Sequence, residues 1–367
     1  HIVNFFVKDA RIFRLTARIS KDLMEIEAVR EAVSGLPLDV EMLRSLRQSA
    51  RLLTTHYSTQ IEGNRLTPDQ VAEAVAGQHF PGRERDEVEV RNYYAALEEV
   101  EATATSNAPI SESLIKRIHG LAYHGRKRGT PYRDGQNVVR DSATGGIVYM
   151  PPEASDVAAL MADLVAWIQG QLKSGELPAP LVAGLAHYQF ATIHPYFDGN
   201  GRTARLLTTL LLHRSGYGLK GIYSLEEYYA RDLAGYYRAL SIGTSHNYYE
   251  GRADADVTGF LEYFCAGMAD AFRAVQAQGK AAAKRGATDQ SDVLRRLDHR
   301  QRRVLELFQE QGTATTAEIA AAIGLSPRTA IVHCRKWVEE GFLEIHDPSK
   351  KRRSYRLAPA IEDHLHG

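Results

Sequence analysis

Hydrophobic and polar positions alternate in a helical rhythm over most of the chain. Leu181 to Ile193 reads as one helix. Thr203 to Arg214 reads as another, apolar at Leu206, Leu207, Leu210 and Leu211 and stopped by Gly216. Asp39 to Tyr57 places Val40, Leu43, Leu46, Ala50 and Leu53 roughly on one face, and Gly63 and Asn64 then end that helix. The rhythm breaks between Gly129 and Pro152. There the turn formers Asp141 to Gly146 separate Gln136–Arg140 from Ile147–Met150, a hairpin pattern.

A second rhythm begins near Val293. A helix to Gln309 is followed by a short one capped by Thr315, with Glu318 completing a capping box. Gly324 makes the turn, and Ser326 and Pro327 start a third helix that runs to Glu340 and stops at Gly341. Phe342–Ile345 and Tyr355–Leu357 read as strands, with Lys350, Lys351, Arg352 and Arg353 in the wing between them. The expected fold class is mainly α: a helical bundle with one β-hairpin, then a winged helix-turn-helix.

Length and composition refine this. A chain of 367 residues predicts two or three domains. We divide it into an N-terminal helical region (1–89), a helical core (90–275), a linker (276–290) where Gly, Ala, Lys, Thr and Gln crowd together, and the winged helix (291–367). Net charge is zero, so no global field calls for nucleic acid. Cys265 and Cys334 are the two cysteines, too few for a disulfide framework. No apolar run approaches membrane-spanning length and no signal-peptide pattern opens the chain, so a cytoplasmic location is expected.

The chemistry concentrates in His194-Pro195-Tyr196-Phe197-Asp198-Gly199-Asn200-Gly201-Arg202-Thr203-Ala204-Arg205, a loop feeding a helix N-terminus. Helix starts favour anions, because their amides are unpaired and the dipole is positive there. Gly199 and Gly201 remove side chains so that amides approach phosphate. Asn200 offers amide donors. Asp198 supplies hard oxygen ligands, which suit magnesium shared with phosphates. Arg202 and Arg205 grip phosphate or carboxylate as planar forks. His194 titrates near neutrality and serves as a base for a hydroxyl.

This run closely resembles the signature of the Fic family, with every defining position matched and the aromatic anchor on Tyr196 or Phe197. The resemblance implies transfer of AMP from ATP to a Ser, Thr or Tyr hydroxyl of a protein, itself included, with release of pyrophosphate. It implies His194 as base, Asp198 as the Mg2+ ligand, and Gly199, Asn200, Gly201 and Arg202 as the phosphate cradle. Ser58-Thr59-Gln60-Ile61-Glu62-Gly63-Asn64 resembles the family's inhibitory motif, so Ser58 and Glu62 are inhibitory residues and Glu62 pairs with Arg205. Oligomer state, such as a homodimer, or a partner would then control release. The hairpin resembles the flap that clamps the target segment as an added strand, with Val138, Val139 and Arg140 as its residues. Tyr236 and Tyr237 fall where the family places tyrosines near adenine.

Other readings stay open at this level. Glu62 would equally position water to remove AMP, and the loop does not exclude transfer of UMP or phosphocholine. The winged helix suggests a DNA-binding regulator whose loop senses nucleotide. Arg328, Arg335, Lys336 and the basic wing favour DNA. Ile331 and Val332 on the recognition helix, and fourteen basic against twelve acidic residues from Arg285 onward, favour a protein contact.

Overall fold

The computed structural model describes residues 13–36, 40–106, 108–140, 144–243, 245–252, 255–288, 297–349, 353–359 and 361–362. It forms two compact units, residues 1–280 and 281–367. The first unit carries α1 (Ala17–Ser34), α2 (Val40–Ile61), α3 (Pro68–Val75), α4 (Glu84–Ala104), α5 (Glu112–His124), β1 (Val139–Arg140), β2 (Ile147–Tyr149), α6 (Ala154–Ser174), α7 (Ala179–Ile193), α8 (Asn200–Arg214), α9 (Glu226–Arg231), α10 (Leu233–Leu240) and most of α11 (Thr258–Thr288), whose last residues fall past 280.

α7 is the spine of this unit. From Pro180 to Ile193 every residue except Ala191 is buried, as expected of a helix apolar on all sides. It packs between α6 and α8, and α8 in turn packs on α4 and α5. α8 begins at Asn200 with Gly199 as a left-handed N-cap (φ 76°), three residues earlier than apolar periodicity predicts. Asn200, Gly201 and Arg202 therefore occupy its first turn rather than a loop.

α2 also runs further than its pattern predicts, through Tyr57 to Ile61. Its apolar stripe packs on the core through Leu43, Leu46 and the buried Ala50. The extension puts Ser58 inside the helix and Glu62 immediately beyond its end, where Gly63 (φ 92°) reverses the chain. The helix end expected near Ala277 falls later too. α11 continues to Thr288 through most of the segment read as a linker, and residues 289–290 lie outside the described residues.

The hairpin is short. β1 and β2 pair antiparallel, Val139 opposite Tyr149, with Val138 just before the strand. The expected turn residues Asp141, Ser142 and Ala143 lie outside the described residues. Beyond Tyr149 the chain is held on its other side, Met150 N donating to His246 O (2.7 Å) and Tyr248 N to Met150 O (3.0 Å).

The second unit contains α12 (His299–Glu310), β3 (Ala314–Thr315), α13 (Thr316–Ile323), α14 (Pro327–Glu339), β4 (Leu343–Asp347) and β5 (Ser354–Leu357), with strand order β3-β5-β4. The capping box of Thr315 and Glu318 forms, Gly324 turns at φ 69°, and Ser326 caps α14. Val304, Ile319, Ile323, Ala330, Cys334 and Trp337 make its core. β3 spans two residues, too few to register as a period. Val293 to Arg296 of the expected first helix, and Lys350, Lys351 and Arg352 of the wing, lie outside the described residues. The expected mainly-α class holds. Among the described residues no helix is long and apolar enough to cross a membrane.

Candidate active site

The chain between α7 and α8 is fastened at every turn. His194 caps α7 in the left-handed region (φ 51°), which a non-glycine residue adopts at a cost. Arg133 repays it from outside the motif. Its Nε donates to His194 O (3.0 Å), its Nη1 to Gly135 O (3.1 Å), its Nη2 to Pro152 O, and its backbone N to Pro195 O (2.9 Å). Tyr196 is the buried aromatic anchor, and Phe197 is 60% exposed. The Tyr196 ring stacks on His119 at 3.7 Å, and His119 Nε2 donates to Asp198 O (2.9 Å). Sequence reasoning passed over Arg133 and His119. Each is a single residue on another element with no local pattern around it.

Asn200 does a different job from the one expected. Its side-chain oxygen accepts from Tyr196 N (2.9 Å) and its amide donates to Tyr196 O (2.8 Å), so it pins the loop. Its oxygen and one N–H of its amide are used within the loop.

The His194 imidazole is held by one nitrogen. Ala191 O accepts from Nδ1 (3.2 Å), which leaves Nε2 unprotonated. Burial, helped by the nearby Arg133 charge, pulls the imidazole down to about 4, while the Ala191 carbonyl works the other way. It is neutral at neutral pH.

Glu62 and Arg205, separated by 143 positions, meet here. Arg205 Nη2 donates to Glu62 Oε1 (2.8 Å), Nε to Ser58 Oγ (2.7 Å) and Nη2 to Ser58 O (2.9 Å), with 1% of the arginine side chain exposed. Burial would weaken the protonated form, but the Glu62 carboxylate together with Tyr236 and Tyr93 outweighs it and holds the guanidinium above its ordinary range. A Cβ at Gly201 would lie 2.3 Å from Glu62 Oε1, so the carboxylate sits against the first turn of α8. Arg205 Nη1 is buried with no hydrogen-bond partner among the described residues, an orphan donor on the same side.

Arg202 meets carboxylates, one of the two partners expected of it: it pairs with Glu89 of α4 (2.7 Å), and its Nη2 approaches Asp198 (3.8 Å). The Asp198 side chain is 53% exposed, and its Oδ1 accepts from Gly199 N (2.6 Å). Among the described residues no group of three or more metal-ligating side chains forms. A single exposed carboxylate fits Mg2+ of the kind held jointly with phosphates.

The tyrosine pair separates. Tyr236 is buried, its hydroxyl bonded to His187 Nε2 (2.8 Å) and its ring stacked on Tyr229 at 4.5 Å, so it is a core residue rather than one facing a base. Tyr237 is 47% exposed, with its hydroxyl 3.5 Å from Ile61 O beside the turn at Gly63. At the hairpin, among the described residues β1 pairs with β2 alone, so Val138, Val139 and Arg140 lie along an edge that is not covered by a further strand. In the second unit Arg328, Val332 (64% exposed), Arg335 and Lys336 are exposed on α14, and Ile331 is partly buried.

Residues 109–212 match the Fic/DOC family and residues 297–344 the family described as winged helix-turn-helix DNA-binding. A protein adenylyltransferase Fic of Drosophila willistoni is 31% identical over 199 residues, 53% of this chain and 38% of the fly protein. The chain thus spans well under half of that relative. A Fic family protein from Desulfovibrio desulfuricans G20 superposes with a TM-score of 0.60 at 25% identity, covering 95% of this chain and 98% of the other. A Fic domain containing signaling protein from Bacteroides thetaiotaomicron shares the fold, with a TM-score of 0.60 at 24% identity over 73% of this chain and 97% of its own. The chain thus carries a region similar to the Fic/DOC family, followed by one similar to winged helix-turn-helix DNA-binding domains.

Proposed function

We propose that this protein transfers AMP from ATP to a Ser, Thr or Tyr hydroxyl of a protein, itself included, and that Glu62 restrains the reaction. The observation that carries the reading is His194, neutral and with Nε2 unprotonated, in the loop that leads to a glycine-lined helix start, a feature that favours anions in general. The target oxygen attacks the α-phosphorus, the bond from that phosphorus to the β-phosphate oxygen breaks, and pyrophosphate leaves. His194 Nε2 takes the hydroxyl proton. Asp198 would hold Mg2+, which when bound neutralises phosphate charge. The α8 amides at Gly199 to Arg202 and the Arg205 guanidinium bind the phosphate oxygens. The open edge of β1 receives the target segment as a strand, and Tyr237 flanks the base.

Glu62 restrains this chemistry by occupying the space over Gly201 and by holding Arg205. The wild type is therefore slow until the end of α2 moves. A homodimer contact or a partner is the proposed trigger. For the second unit, the exposed Arg328, Arg335 and Lys336 on α14 support docking on duplex DNA. Binding that weakens steeply with salt supports this, and salt-independent or absent binding excludes it.

Incubation with α-labelled ATP and Mg2+ tests the main reading. Strong label is expected for Glu62→Gly, weak label for the wild type and none for His194→Ala or with a chelator. No label on Glu62→Gly with any nucleotide triphosphate overturns it.

A further inference from the structure

Arg202 and Arg205 are both paired with a carboxylate, but in different ways. Glu62 reaches Arg205 across the first turn of α8, filling the place where an anion would sit. Glu89 approaches Arg202 from α4 and pairs with Nη1 at 2.7 Å, the two side chains being 7% and 12% exposed. The opposite side of that guanidinium stays turned to the loop, Nη2 lying 3.8 Å from Asp198 Oδ1. Its face lies over the Tyr123 ring at 5.3 Å, and its Nε is buried without a hydrogen-bond partner among the described residues.

Glu89 is itself held. Its Oε2 accepts from Asn64 Nδ2 (2.8 Å), and the same amide donates to Asp86 O (3.0 Å). Asn64 Oδ1 accepts from Leu66 N (3.1 Å), so both ends of a 5% exposed amide are used. An arginine side chain has many rotamers, and gripping phosphate through one fixed edge requires that the others be removed. A carboxylate anchored on a long helix and braced by a buried amide does that.

We propose that Glu89, braced by Asn64, is a positioning residue that orients Arg202 for the nucleotide phosphates. The inference deepens the AMP-transfer reading and rests on it. It differs in sign from the obvious alternative, that Glu89 is a second brake. A carboxylate acting only by its charge repels phosphate, so its removal tightens nucleotide binding. A carboxylate acting through Arg202 orientation does the reverse.

The test uses the full chain carrying Glu62→Gly. Binding of ATP with Mg2+ is titrated calorimetrically for this parent, for Glu89→Gln, for Arg202→Lys and for the double variant, with thermal midpoints alongside. Glu89→Gln is expected to weaken ATP about tenfold, the scale of one charge-assisted hydrogen bond, with its midpoint close to the parent's. Arg202→Lys is expected to weaken ATP at least as much, and adding Glu89→Gln to it to change little. Tighter or unchanged ATP binding by Glu89→Gln overturns the proposal. So does a full additional tenfold loss in the Arg202→Lys background, which would place Glu89's action elsewhere. Label transfer is read on the same samples. A parent that binds ATP but transfers no label overturns the AMP-transfer reading and leaves the positioning result standing. A parent that binds no ATP overturns both.

Discussion

The two segments that frame the candidate active site are built on opposite plans. The chain from His194 to Arg202 is clamped by side chains from α5, α4 and the stretch before the hairpin: His119, Glu89 and Arg133 all reach into it, and Asn200 closes it on itself. The hairpin is two short strands with Ile147 44% and Val148 37% exposed, anchored mainly at its base, where Tyr149 Oη donates to Thr192 O (2.7 Å). The contrast fits the division of labour proposed above. Phosphate chemistry needs donors fixed in advance, because reorganisation during the reaction raises the barrier. Recognition of a protein strand needs an edge that accepts varied side chains, since main-chain hydrogen bonds do most of the work.

The largest expected effect bears on the clamped side. In the Glu62→Gly background, His194→Ala should lower the labelling rate by about 10²–10⁴-fold, the range for a general base, while ATP affinity stays near the parent's. A rate within threefold of the parent would remove His194 from the chemistry. Next comes Asn200→Ala, which orphans a buried backbone amide and carbonyl at Tyr196. It should cost about 2 kcal/mol and lower the thermal midpoint of the first unit by about 5 °C. The matching change on the hairpin, Arg140→Ala, should stay within about 0.5 kcal/mol of wild type yet raise KM for a protein target several-fold. Equal stability losses at both positions would erase the contrast between the segments.

The smallest effects concern pH. His194 acts while neutral, and burial holds it at about 4. The acid limb of kcat/KM for the Glu62→Gly variant should therefore fall near pH 4 rather than 6.5. A midpoint near 6.5 would mean an imidazole open to solvent in the working enzyme. His119 (about 4), His187 (about 3) and His213 (about 4) are lowered by burial in the same way. A histidine whose folded value lies below its unfolded one binds its proton in the unfolded chain first. Stability of the first unit should accordingly decline as pH falls from 6.5 towards 4, read as a falling thermal midpoint.

The helices around the site were legible because their signals are local: the stripe of α2, the leucines of α8, and the capping box of Thr315 and Glu318 all act within a turn or two. Their ends were less legible. α8 starts at Asn200 because Gly199 adopts a left-handed cap, and the last turn of α2 past Tyr57 is held by Arg205 of α8 through Ser58; apolar spacing records neither. The tyrosine pair shows the same limit. Adjacent in the chain, Tyr236 and Tyr237 face opposite environments, one bonded inside to His187 and one exposed beside Ile61.

By itself the sequence determined which groups with useful chemistry stand together in one run, and which helices flank them, because side-chain type and short-range spacing are properties of the chain. The tertiary structure alone decided what each group is free to do. It paired Arg202 with Glu89, turned the Asn200 side chain back onto the loop, and brought Glu62 against Gly201 from 139 positions away. Hydrogen-bond capacity and charge are exhausted by whatever lies within a few ångströms, and that neighbourhood is set by packing.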